Sequence, residues 1–167
     1  MPEQQDHVDA MLAAWAEREP DLDASPLRVA GRLLRCAALL RAGLDAALGE
    51  LGLSFGDFDV VNTIRREDDG AGITPTRLAA AALISSGAMT TRLDRLQARG
   101  LIERRPDPAD RRGQRIRLTA SGEALARRAL DAVLAVDRNL IAPLGDHSQQ
   151  TLAATLRRML LAAGDAP

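Results

Sequence analysis

The stretch "SSGAMTTRLDRLQARGLIERRPDPADRRGQRIRLT", residues 85–119, decides the fold. Its first part predicts a helix, because Met89, Leu93 and Leu96 recur at helical spacing before Gly100 closes the segment. "LIERRP" and "RIRLT" then predict two short strands, and the turn-rich "DPADRRG" joins them. The stretch therefore predicts a helix followed by a β-hairpin with a long tip.

A short helix precedes this stretch. "ITPTRLAAAALIS" predicts it at 77–83, with Thr76 as its N-cap. Two helices joined by a tight turn and followed by an arginine-rich hairpin are the arrangement of a winged helix-turn-helix. The fold class is therefore mainly α with a small β-hairpin wing.

Amphipathic helices are predicted on both sides of this section. The first two cover residues 7–18 and about 26–50. The third carries the apolar stripe Phe55, Phe58, Val61 and Ile64. The fourth carries Leu125, Ala129, Val133, Val136 and Leu140, and the fifth carries Leu152, Leu156, Met159 and Leu160. Thr119 or Ser121 caps the fourth of these, and Pro143 ends it. The chain then divides into N-terminal helices (1–52), a winged unit (53–119) and C-terminal helices (120–167), all within one compact domain.

The terminal helices are too long to pack on the winged unit alone. A homodimer interface that buries their apolar stripes is one explanation, and a larger monomeric helical core is the other.

Composition limits the remaining classes. Cys36 is the only cysteine among 167 residues, the N-terminus lacks the pattern of a signal peptide, and no apolar run reaches the length of a membrane span. We therefore expect a cytoplasmic protein without a membrane partner. A buried, small apolar role is expected for Cys36, with a reactive thiol as the alternative.

Positive charge is concentrated in one part of the chain. Between Arg77 and Arg117 there are ten arginines and four acidic residues, whereas the remainder holds twelve arginines and nineteen acidic residues. This asymmetry indicates a polyanionic partner such as double-stranded DNA, although a solvated charged loop is the alternative for any short run.

Side chains that suit DNA contact surround the predicted helix pair and the hairpin tip. Hydroxyl groups bond to bases or phosphates, arginines to guanine or phosphate, and the helix N-terminus attracts phosphate. The candidates are Thr76, Arg77, Ser85, Ser86, Gly87, Thr90, Thr91, Arg95, Arg111 and Arg112. An ordinary helix cap is the alternative for "SSG", and a solvated turn is the alternative for the two hairpin arginines.

The segment "LAAAALISSGAMTTRLDRLQARGLIERRPDPADRRGQRIRLTASGEAL" resembles the core of the MarR family of bacterial transcription regulators, and its "DPADRRG...RLTASG" portion is the most specific part. The resemblance implies a homodimer with interlocked terminal helices that binds a pseudo-palindromic operator. It also implies that Arg112 is the wing-tip arginine and that Asp110 braces the wing. Repression is favoured over activation by resemblance alone.

Four positions resemble the ligand pocket of the urate-responsive branch of this family: Trp15, Asp59, Arg92 and Arg104. The resemblance implies that they surround urate or a related purine anion, whose binding releases DNA. Two arginines suit a planar anion, and Arg92 lies about 60° from the core direction on a helical wheel, so it can turn inward. We expect an anion at Arg92 and Arg104 to displace a contact to Asp59.

Each of these four positions has a structural alternative. Trp15 can be core packing, Arg104 a phosphate contact at the strand edge, and Asp59 with Arg92 a structural ion pair. The effector can also be another organic anion or a phenolic compound.

Other functional classes have little support. The sequence lacks a phosphate-binding glycine loop, GxSxG and HExxH, and "REDDG" lacks the calcium-loop pattern, so we expect no enzyme activity, no metal and no cofactor. A helical dimer that acts only through protein contacts remains as an alternative to the regulator.

Overall fold

The structure, a computed structural model, describes residues 5–83, 89–108, 110 and 113–165. Its elements are α1 (His7–Arg18), α2 (Leu27–Gly49), α3 (Phe55–Glu67), α4 (Pro75–Ala81), α5 (Met89–Ala98), β1 (Ile102–Pro106), β2 (Gln114–Leu118), α6 (Ala120–Ile141) and α7 (Asp146–Ala162). The predicted fold class, mainly helical with one hairpin, is confirmed. The chain divides into two compact units, residues 1–43 and 44–167. The predicted three-part organisation stays a prediction.

In the first unit, two ion pairs of one arginine join the start of α1 to α2. The Asp6 carboxylate caps α1 by accepting from the backbone N–H of Val8 at 2.7 Å and of Asp9 at 3.0 Å. Arg32 on α2 pairs with both acids, through Nε to Asp6 at 2.8 Å and through Nη2 to Asp9 at 2.7 Å. Buried Val8 packs against Gly31, where an added Cβ would lie 3.2 Å from a Val8 methyl group.

In the second unit, α3 is the central element. It packs against α4, α5, α6 and β2. A capping box starts it, because Ser54 accepts from the backbone N–H of Asp57 while Asp57 accepts from the backbone N–H of Ser54. The largest fully buried side chains form an aliphatic core with one buried hydroxyl: Leu48, Val60, Val61, Thr63, Ile64, Ile73, Leu78, Leu96 and Ile116.

The short helix α4 begins earlier than the sequence predicted. Thr74, not Thr76, is its N-cap, and its hydroxyl accepts from the backbone N–H of Arg77 at 3.3 Å. Pro75 occupies the first helical position, where its fixed φ is favourable and its missing N–H costs nothing. The helix ends at Ala81 because Ala82 is extended, with φ −78° and ψ 147°.

The hairpin is antiparallel, and residue 102 pairs with residue 118 while residue 106 pairs with residue 114. A third segment joins β2, since Ile73 and Ile116 exchange backbone hydrogen bonds of 3.0 and 2.8 Å. Before the hairpin, Gly100 has a φ of +67° and Leu101 N–H donates to the carbonyl of Leu96, which closes α5 as predicted.

Helix α6 begins in direct contact with the end of α5. Thr119 is its N-cap, and its hydroxyl donates to the Gly100 carbonyl at 2.7 Å. Ser121, the alternative cap, instead donates to the same carbonyl at 3.0 Å. The backbone at Gly122 passes so close to Leu101 that an added Cβ would lie 1.9 Å from the Leu101 carbonyl oxygen.

The C-terminal helix α7 has no buried residue. Met159 is 45% exposed and Leu160 52% exposed, and Leu134 and Ile141 of α6 are exposed as well. Both explanations of these stripes, a homodimer interface and a larger monomeric core, stay predictions.

Two further sequence expectations concern the exposure of Cys36 and the presence of a membrane-spanning helix. Cys36 is exposed on α2, so the expectation of a buried cysteine is wrong for this chain; its neighbours Arg35 and Ala37 are exposed too. Within the described ranges, no helix combines the length and apolar character that crossing a membrane requires.

The contact at Gly122 generates a stability prediction. Gly122→Ala forces a methyl group onto the Leu101 carbonyl, so we expect the free energy of unfolding to fall by about 3 kcal/mol. Urea titration followed by circular dichroism measures it. Gly49→Ala is the control, because an added Cβ there meets nothing within 4 Å; equal effects of the two substitutions would contradict the prediction.

Candidate DNA interface and effector site

Two arginines of α5, and Arg99 directly after it, contact one short segment before and at the start of α3. Arg99 donates from Nη1 to the Gly52 carbonyl at 2.8 Å, and Arg95 donates from Nη2 to the Asp57 carboxylate. The guanidinium of Arg92 lies against Gly56. Positions 92, 95 and 99 follow helical spacing, so one side of α5 faces residues 52–57.

Asp57 is buried and holds two elements together. Its side chain is 4% exposed, whereas the paired Arg95 side chain is 49% exposed. Burial raises the pKa of Asp57, but the hydrogen bonds from Arg95 and Ser54 outweigh that effect and lower the pKa below its usual value. The carboxylate therefore stays charged at neutral pH and serves both the α3 cap and α5.

Arg92 differs from its neighbours on α5. Its Nε is buried and has no hydrogen-bond partner within the described part of the chain. An added Cβ at Gly56 would lie 2.4 Å from this Nε and 2.7 Å from Cζ. The missing side chain at Gly56 thus makes the space that the guanidinium occupies. The wheel prediction that Arg92 turns inward is consistent with this placement.

The other predicted effector residues occupy three different places. Asp59 is buried on α3, three residues after Gly56 and hence on the same side of that helix. Arg104 on β1 pairs with Asp94 of α5 at 2.6 Å. Asp94 and Arg92 are two residues apart, so they do not share a face of α5. Trp15 lies on α1 in the first unit and is 38% exposed.

Most described arginines between 77 and 117 are ion-paired. The pairs are Arg77–Glu67, Arg95–Asp57, Arg104–Asp94, Arg105–Glu103, Arg115–Asp107 and Arg117–Asp68. The concentration of arginine in this region therefore has a structural use that composition alone does not reveal.

Asp107 braces the loop end of the hairpin, directly after the last strand pair. Its buried carboxylate accepts from Arg115 Nε at 2.9 Å, and Arg115 Nη1 also donates to the Gly72 carbonyl at 3.0 Å. The backbone N–H of Asp107 donates to the Gly113 carbonyl, and the Gly113 N–H to the Asp110 carbonyl. Gly113 has little room for a side chain, since an added Cβ would lie 3.0 Å from the Asp107 Cβ.

The loop before the third segment is tied to β2 in the same manner. Asp68 accepts from Arg117 Nε at 2.9 Å and from the backbone N–H groups of Gly70 and Gly72, both at 2.8 Å. Burial raises the pKa of Asp68, but these hydrogen bonds outweigh that effect and hold the pKa below its usual value. Ion pairs thus fix the hairpin at its loop end, through Asp107, and near its base, through Asp68.

The predicted DNA-contacting residues fall into three groups. Exposed residues are Thr76 and Arg77 on α4 and Thr90, Thr91 and Arg95 on α5. Two of these, Arg77 and Arg95, are held by carboxylates. The remaining predicted residues, Ser85, Ser86, Gly87, Arg111 and Arg112, lie outside the described residues.

Sequence reasoning missed Gly56, Asp57, Asp94, Asp107 and Arg115. Only Asp57 had a readable signal, because Ser54 and Asp57 form the capping pattern S-x-x-D at the start of a helix. The others depend on contacts between distant parts of the chain.

Comparison with known proteins gives consistent matches. A family model described as the MarR family matches residues 51–113. The HTH-type transcriptional regulator PecS of Dickeya dadantii is 33% identical over 152 residues, which span 91% of this chain and 92% of PecS. The HTH-type transcriptional repressor Rv2887 of Mycobacterium tuberculosis is 32% identical over 127 residues, which span 76% and 89%.

Solved structures agree with the sequence matches. A mutant of MarR from E. coli complexed with operator DNA aligns with a TM-score of 0.68 at 30% identity, covering 87% of this chain and 97% of that chain. Rv2887 in complex with salicylic acid aligns with a TM-score of 0.58 at 31% identity, covering 78% and 95%.

The hairpin brace generates a second stability prediction. Asp107→Asn removes the charge that Arg115 faces in a buried pair, so we expect the free energy of unfolding to fall by about 1–3 kcal/mol. Urea titration measures it. Glu103→Gln is the matched control on the same hairpin, because its pair with Arg105 is exposed and should contribute little. A loss as large in the control as in Asp107→Asn would refute a special role for this brace.

Proposed function

Because the chain belongs to the MarR family of winged helix-turn-helix, DNA-binding transcriptional regulators, we propose that it is a homodimeric repressor that a small organic anion releases from its operator. Urate or a related purine anion is the proposed effector. The relatives are regulators and repressors by name, which also argues against an enzyme.

DNA binding is supported by the exposed part of α5 and by the relatives. Thr90 and Thr91 are exposed on the first turn of the described helix, while Met89, Leu93 and Leu96 anchor the opposite side in the core. Hydroxyl groups at this place suit base edges and phosphates. A mutant of E. coli MarR, which this chain resembles, was solved in complex with operator DNA, which supports operator binding here; a pseudo-palindromic operator stays a prediction.

A second copy of the chain is the proposed cover for the apolar faces of the C-terminal helices. Leu152, Met159, Leu160 and Leu161 are exposed on α7 although they are large and apolar. Exposed apolar surface of this extent is unfavourable in water, and a two-fold interface buries it on both copies at once.

The effector proposal rests on one observation, the buried Arg92 Nε that has no hydrogen-bond partner within the described ranges. An unsatisfied buried donor costs about 1–3 kcal/mol. An anion that accepts from this guanidinium removes that cost and gains a charge-assisted hydrogen bond. The space at Gly56 gives the guanidinium its place between α3 and α5.

The same placement suggests how binding weakens the DNA complex. A ligand at Arg92 has to enter between the start of α3 and α5, the helix that carries Thr90 and Thr91. The anion then favours a conformation in which α5 stands differently relative to α3, and by linkage it lowers operator affinity. Use of Arg104 by the same anion requires that Asp94 give up its ion pair. The roles of Asp59, Arg104 and Trp15 stay predictions.

An aromatic carboxylate is the second candidate effector, because Rv2887 has been solved with salicylic acid. Its carboxylate can accept from Arg92 in the same manner as a urate anion. Salicylate is therefore the competing probe in every titration below.

The dimer is tested by sedimentation velocity. We expect the unmodified protein to sediment at twice the mass of the chain and Leu160→Arg to shift it toward the monomer, because a charge in an apolar interface is costly. Gln150→Arg, a change at an exposed polar position of the same helix, should leave the sedimenting mass unchanged. A monomeric unmodified protein would disprove the proposed interface.

The effector is tested by isothermal titration with urate and by release of DNA in gel-shift assays. Arg92→Gln should weaken urate binding at least about tenfold, because a charged hydrogen bond is lost. Gly56→Ala should do the same while preserving the fold, since the methyl group displaces only the far end of a flexible side chain. Arg127→Gln, at an exposed i,i+4 pair on α6, and Gly49→Ala are the controls.

Urate should release DNA from the unmodified protein and from both controls, and should fail to release it from Arg92→Gln and Gly56→Ala. Equal heats from all five proteins, or none from any, would refute urate binding at Arg92. Heats obtained with salicylate instead of urate would assign the site to the second candidate.

A further inference from the structure

Two consecutive residues of α5 are fixed by different parts of the second unit. Asp94 pairs with Arg104 on the hairpin, and Arg95 pairs with Asp57 at the start of α3. One turn further along, Arg99 donates to the Gly52 carbonyl. The rotation of α5 about its own axis is therefore set by polar contacts as well as by the three core residues beneath it.

The partner of Arg95 is in a position that makes the pair hard to break. Asp57 is 4% exposed, and Ser54 accepts from its backbone N–H at 3.1 Å while donating to its carboxylate at 2.7 Å. A phosphate that recruited Arg95 would leave this buried carboxylate without its cation, which is strongly unfavourable. Arg95 is half exposed, so exposure alone made it resemble a DNA-contacting residue.

We propose that Arg95 and Asp57 are a positioning pair for operator recognition: they hold α5 at the rotation that presents its exposed hydroxyl side chains to DNA, and Arg95 itself does not contact DNA. This inference rests on the operator binding proposed above. It replaces the earlier expectation that Arg95 meets a guanine or a phosphate.

The capping box explains why Asp57 is a suitable anchor. The carboxylate sits at the third position of α3 and accepts from the Ser54 backbone N–H at 3.2 Å, so its place is fixed by the helix that it caps. Arg95 of the neighbouring helix α5 pairs with the carboxylate at this fixed position. A rotation of α5 that carries Arg95 away from Asp57 also turns Thr90 and Thr91, because they belong to the same ten-residue helix.

The test compares Asp57→Asn, Arg95→Gln, the double variant and Arg95→Lys on a duplex that the unmodified protein selects from a random-sequence pool. We expect each single variant to weaken binding about tenfold. The double variant should be no weaker than the worse single variant, because both remove one pair. Arg95→Lys keeps the charge and should recover part of the affinity. Arg127→Gln is the control for loss of an exposed arginine.

The salt dependence separates positioning from DNA contact. A positioning role leaves the slope of log Kd against log salt unchanged in Arg95→Gln, whereas loss of a phosphate contact lowers it by about one. Near-normal affinity of Asp57→Asn together with a reduced slope for Arg95→Gln would overturn the proposal, since Arg95 would then act on DNA directly.

Hydrogen exchange in the free protein tests the pair without DNA. Residues 89–98 should exchange faster in Asp57→Asn and Arg95→Gln alike, and at the normal rate in Arg127→Gln. Unchanged exchange in both variants would overturn the proposal even if no duplex were selected. Failure of the unmodified protein to select a duplex, with faster exchange in both variants, would instead count against the proposed function alone.

Discussion

The second unit depends on the placement of one buried carboxylate. Asp57 closes the capping box of α3 and accepts a hydrogen bond from Arg95 of α5, so a single group fixes both the start of the central helix and the rotation of its neighbour. A buried charge is tolerated only when all of its partners are present. The surrounding core is aliphatic, and its contacts are non-directional. They permit rotations of α5 about its own axis that the polar contact with Asp57 forbids.

The distribution of arginine gains a different meaning from these contacts. The sequence suggests a positive surface around Arg77 to Arg117, yet six arginines of this region are paired with carboxylates. Paired arginines contribute less to the field that attracts a phosphate backbone than isolated ones do. The pairs with Asp107 and Asp68 fix the hairpin at its loop end and near its base, respectively.

Local patterns predicted the fold well. Helix α1 begins and ends at the predicted residues, Thr119 caps α6, and Gly100 closes α5, because caps and apolar spacing act within a few residues of sequence. The start of α4 was wrong because Thr74 and Thr76 are both good caps, and Pro75 favours the first.

The site was less predictable than the fold. Helical spacing predicted that the Arg92 side chain points inward, as it does. Nothing in the sequence shows that Gly56 makes room for it or that Arg104 pairs with Asp94. These contacts join residues 36 and 10 positions apart, and no pattern of residue types encodes them. The exposure of Cys36 has the same origin, since burial on one helix depends on which neighbours cover it.

In the proposed function, helix α5 brings DNA recognition and ligand response within a short distance of each other. It has ten residues, and it carries the exposed hydroxyl groups, the paired Arg95 and Arg92, whose Nε has no hydrogen-bond partner among the described residues. The proposed ligand at Arg92 would therefore act directly on the helix that carries the proposed DNA contacts, without any intermediate element. Coupling between two sites needs a part of the protein with two alternative arrangements, biased by both ligands. In the proposed mechanism that part is the placement of Arg92 against Gly56, because the Arg92 Nε has no hydrogen-bond partner within the described ranges, whereas the Arg95–Asp57 pair is hard to break.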